Sequence, residues 1–66
     1  MNKYFVSYNW CTVSESGIDN TIVSYNKSIE YGDDIIKIRE YIESDFIKKR
    51  NCNVNIFIIN IIKLPI

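Results

Sequence analysis

The chain reads as a single α+β domain, residues 1–66, of order β-β-α-β: a three-stranded antiparallel sheet in the order 2-1-3 with one helix across one face. Three observations predict this. Two strand-favouring runs near the N-terminus are joined by a short polar segment holding a glycine, the pattern of an antiparallel hairpin. A central stretch repeats its apolar residues at three- and four-residue steps, as a helix with one buried stripe does. The closing run, residues 54–64, is a strand apolar on both faces.

The first strand covers residues 4–13, rich in Tyr, Phe, Val, Trp and Thr. Tyr4, Val6, Tyr8 and Trp10 fall on one face; Phe5, Ser7, Asn9, Cys11 and Val13 fall on the other. Ser14-Glu15-Ser16-Gly17 reads as the turn, with Gly17 free to take a positive φ and the loop reaching Asp19-Asn20. Residues 21–25 form the second strand, Ile22 on one face and Thr21, Val23 and Tyr25 on the other. Asn26-Lys27-Ser28 breaks the pattern. The helix begins near Gly32-Asp33-Asp34, where carboxylates meet the positive end of the helix dipole. Its stripe is Ile35, Ile38, Tyr41/Ile42 and Phe46, and Lys48-Lys49-Arg50 suits its last turn. Asp33–Lys37 and Asp45–Lys49 place an acid four residues before a base. In the final strand, strict alternation puts Val54, Ile56, Ile58, Ile62 and Leu64 on one face and Phe57, Ile59 and Ile61 on the other; Pro65 ends it. A right-handed crossover through the helix makes strand three parallel to strand two, so strand one lies between them.

Composition narrows the chemistry. Eight basic residues balance eight acidic ones, without the basic excess of a general nucleic-acid binder. No apolar run is long enough to cross a bilayer as a helix. There is no histidine, so neither Cys11 nor Cys52 has an imidazole base, and the two thiols alone cannot complete a zinc site. The N-terminal residues lack a signal-peptide apolar region, so a cytoplasmic chain with both cysteines reduced is expected. Asp33 and Asp34 are adjacent on a helix and diverge by about 100°, which suits helix-start electrostatics better than metal binding. No serine sits in a nucleophile-elbow sequence, and with glycine only at 17 and 32 there is no phosphate loop. No catalytic residue, metal site or cofactor is expected. Tyr4, Tyr8 and Trp10, with Lys48-Lys49-Arg50, form the alternative reading: a sheet platform for single-stranded nucleic acid. Few cations flank those rings, and core or interface suits them better.

Lys3-Tyr4-Phe5-Val6-Ser7-Tyr8, Asn20-Thr21-Ile22-Val23 and the helix Asp34-Ile35…Ile38…Ile42 give a layout that resembles the very small phage proteins that block bacterial immunity, among them the Hachiman anti-defence proteins. The resemblance spans most of the chain through short apolar motifs. It implies inhibition by binding a host defence protein, without catalysis, and carries no site residue across. Ile and Asn supply 22 of the 66 residues; both have A/T-rich codons, as suits a phage or an A/T-rich bacterium.

A domain this small with one helix covers one sheet face only. The expected remedy is a homodimer through the face opposite the helix or through the edge of strand three. Phe57, Ile59 and Ile61 are its expected contacts, with Tyr8 and Trp10 beside them.

Overall fold

The computed structural model describes residues 2–29 and 32–65. The elements follow in the order β1 (Asn2–Cys11), β2 (Ser16–Tyr25), α1 (Asp33–Arg50) and β3 (Asn55–Lys63). The sheet order is β2-β1-β3, with β1 antiparallel to both neighbours, as the sequence predicts. Tyr4, Val6 and Tyr8 of β1, Val23 of β2, and Val54 with Ile56 meet Ile38, Ile42 and Phe46 of the helix in one core. Ile58 and Ile61 pack at its margin.

The hairpin is tighter than the sequence suggests. β2 starts at Ser16, and the turn is Thr12-Val13-Ser14-Glu15. It closes through the Thr12 amide on the Glu15 carbonyl at 2.8 Å and the Glu15 amide on Thr12 Oγ1 at 3.0 Å. Gly17 is therefore a strand residue, and its φ is not positive. It is small because it lies opposite Trp10: a Cβ there would stand 2.8 Å from Trp10 Cζ2.

The second correction concerns β3. Ser7 pairs with Asn60 but Tyr8 pairs with Ile58, so Ile59 is an extra residue, a β-bulge. One extra residue reverses the facing of everything beyond it. Ile61 therefore pairs with Val6 on the helix side, and Ile62 pairs with Phe5 on the other. Strict alternation assigns both the opposite way.

The helix stripe also differs. The buried positions are Asp34, Ile38, Ile42 and Phe46, spaced by four, while Ile35 and Tyr41 are exposed. The stripe begins with an acid because that acid has partners: Tyr25 Oη donates to Asp34 Oδ1 at 2.6 Å, and Lys27 Nζ lies 3.3 Å from the same oxygen. The Ile29 amide donates to Tyr4 Oη at 3.1 Å. Together these tie the connection after β2 onto the sheet and the helix start. Asp45–Lys49 forms as an ion pair at 3.1 Å, accompanied by Arg39–Glu43 at 3.1 Å. Asn51 ends the helix in the left-handed conformation (φ 53, ψ 42), its amide donating to the Ile47 carbonyl at 2.7 Å.

Candidate binding face

Residues directly opposite one another in an antiparallel ladder share a face, so the register defines the surface away from the helix. Ile22, Phe5 and Ile62 form one row across the three strands. Asn20, Ser7 and Asn60 form the next, and Ile18, Asn9 and Phe57 the third. Ser16, Cys11 and Asn55 close the hairpin end. The apolar members stand in solvent: Ile18 is 75% exposed, Phe57 60% and Ile62 50%. Lys3, opposite Ser24, is the one charged residue among the paired positions of this face. A depression of about 320 Å³ opens at the hairpin end, lined in part by Asn9, Cys11, Ile18 and Phe57.

The structure divides the five residues the sequence singles out for self-association. Phe57 is on the open face, and Ile59 is exposed at the bulge. Tyr8, Trp10 and Ile61 are on the helix side, in or against the core. Tyr8 is only 7% exposed. The reason for Ile61 is the bulge; for Tyr8 and Trp10 it is that the helix covers their face of β1. That cover bears equally on the nucleic-acid platform. Tyr4 and Tyr8 are buried, and Trp10 lies 5.2 Å from Phe46, centroid to centroid, with the Arg50 guanidinium 4.7 Å from its ring. None of these rings offers an open stacking face on the bare side of the sheet.

The charged chemistry gathers on the helix side. Burial pushes the Tyr8 hydroxyl above its ordinary pKa, and the carboxylates of Asp19 and Asp45 add to the rise. Tyr25 is raised chiefly because its hydroxyl donates to Asp34, a bond that ionisation would destroy. Lys49 is raised by its hydrogen bond with Asp45. Among the described residues no group of three or more carboxylates or thiols comes close enough to hold a metal ion, and no helix is long and apolar enough to cross a membrane. Asp34 is turned inward and Asp33 is exposed, so the two diverge. Cys11 and Cys52 are free and exposed.

Two features escaped the sequence reading. The polar row Asn20-Ser7-Asn60 follows only from the register, since nothing local pairs those positions. Asp34 left a usable signal: it occupies the first position of an otherwise apolar i, i+4 series, Asp34-Ile38-Ile42-Phe46, where a solvated acid has no place. Comparison with protein families, curated proteins and solved structures returns no match, so geometry and sequence carry the functional reading.

Proposed function

We propose that this protein works by binding, without chemistry of its own: it lays its open sheet face on another protein and inhibits by occupying that surface. The observation that carries the reading is the face itself. Ile22 and Ile62 flanking Phe5, and Ile18 and Phe57 flanking Asn9, put four large exposed apolar side chains on the side of the sheet that α1 does not cover. Several large exposed apolar side chains gathered on one face are typical of an interaction site. Following the resemblance to small phage anti-defence proteins, the proposed target is a component of a bacterial anti-phage system, reached in the host cytoplasm by a phage-encoded chain.

Co-expression with candidate defence systems tests this. Affinity capture is expected to retain one defence component with the wild type, and phage plating is expected to recover in that strain. Phe57→Glu, which puts a charge in the bare row without entering the core, is expected to abolish both. Capture of no defence protein together with unchanged plating would overturn the reading.

A further inference from the structure

Resting on the reading of the open face as a docking surface, we infer that a second copy of this chain covers it in the free protein. The two sheets pack face to face about a twofold axis that passes the Asn20-Ser7-Asn60 row. The first argument is charge. Among the described residues, the paired positions of this face carry one formal charge, Lys3 at one end. A face with a net sign in its middle would repel its own copy, and this one carries none between the Phe5 row and the Cys11 row.

The second argument is the order of the rows. A twofold axis in the interface plane, running along β1 through Ser7, sets each row on its own equivalent: Ser7 on Ser7 and Asn9 on Asn9 of the copy, Asn20 against its Asn60, and Ile18 against its Phe57. Asparagine offers both donors and an acceptor, and serine offers one hydroxyl that does both. The row Asn20-Ser7-Asn60 can therefore satisfy a copy of itself, whereas against an apolar partner its amides would be buried unpaired. The third argument is size. Strands of nine or ten residues at ~3.4 Å per residue, three abreast at ~4.8 Å, give a flat footprint of roughly 480 Å² per copy, so about 960 Å² between two before side-chain relief is added, at the ~1,000 Å² floor for a small biological interface.

The pairing makes a β-sandwich with both helices outward, keeping the Asp45–Lys49 and Arg39–Glu43 pairs in solvent. It also uses the residues a target would use, so a target must compete with the second copy.

Sedimentation equilibrium from low to several hundred micromolar is the test, with circular dichroism to confirm folding. The wild type is expected to dimerise. Phe57→Glu and Ile62→Lys are each expected to weaken association by about 10- to 100-fold, and Tyr41→Lys on the helix to leave it unchanged. Cys11 gives a second measurement on the unaltered protein. Its alkylation by iodoacetamide is expected to slow as concentration rises, while the exposed Cys52 keeps its rate. A monomer throughout the range overturns the inference. So does a Cys11 rate independent of concentration, or a dimer that survives both face substitutions, as pairing through the β2 edge would. A monomer that still captures a defence protein through Phe57 would sink the dimer and leave the docking reading standing.

Discussion

A methyl group on Gly17 would lie 2.8 Å from Cζ2 and 2.9 Å from Cε2 of Trp10. The indole cannot retreat freely, because Phe46 packs against it and Arg50 lies over both rings. Gly17→Ala is therefore expected to destabilise by about 1–3 kcal/mol, the usual cost of overpacking. Urea unfolding monitored by Trp10 emission measures it, and Ser16→Ala on the neighbouring open-face position is the control. From sequence alone this glycine reads as a turn residue, since nothing in Ser-Gly-Ile-Asp distinguishes a glycine needed for its φ from one needed for its missing side chain. Tyr25 gives a second residue-scale prediction, in pH. Its folded-state pKa, like that of Tyr8, is raised above 10.0. A raised value means that the stabilisation is complete below the unfolded-state pKa and fades as pH climbs through the folded-state one. Stability is thus expected to fall above pH 10. Tyr25→Phe should lower the melting temperature at neutral pH and make the alkaline fall less steep. An unchanged alkaline profile would mean that the Asp34 bond is not holding the proton.

Each of the four elements is legible in sequence because each is specified locally: two β-rich runs, apolar residues at three- and four-residue steps between acidic and basic ends, and an isoleucine-rich strand stopped before Pro65. What local pattern does not specify is a change of phase. In β3 the residues 56, 58 and 61 all reach the helix side, a spacing that period two cannot give and that requires the extra residue at 59. Isoleucine at 58, 59, 61 and 62 makes either phase equally apolar, so hydropathy has no preference. Deleting Ile59 leaves Ile58 opposite Tyr8 and Asn60 opposite Ser7, with Ile61 still facing the helix. The deletion is therefore expected to fold, by circular dichroism and Trp10 emission. Inserting an alanine after Asn60 puts that alanine opposite Val6 in place of Ile61, a large-to-small change against the core, and is expected to lower the melting temperature. Helix termination is simpler. Asn51 holds φ 53, a region that asparagine and glycine tolerate and β-branched residues do not. Asn51→Gly should be near neutral in thermal melts, while Asn51→Val should cost about 1–2 kcal/mol.

For the whole molecule, the distribution of charge separates two kinds of association. The helix and its flanks carry the ion pairs, and any partner drawn to that side by charge would bind less well as salt rises. The open face has no charge between its end rows, and its apolar rows draw on the hydrophobic effect, which excluded salts strengthen. Self-association through that face is therefore expected to hold or tighten between about 0.05 and 0.5 M NaCl, with the Debye length shrinking several-fold over that range, and to tighten further in sulfate. The composition foretells a bare face, because one helix cannot cover two sides of a sheet. It does not foretell which residues form that face, since Tyr8 and Trp10 look as suited to it as Phe57 until the helix is placed over them. The same placement predicts that single-stranded oligonucleotides at low salt leave Trp10 emission unchanged, the indole being held against Phe46 and Arg50. Association that weakens steeply with salt would instead locate the contact on the helix side, around Lys48, Lys49 and Arg50, and would remove the open face from the interface.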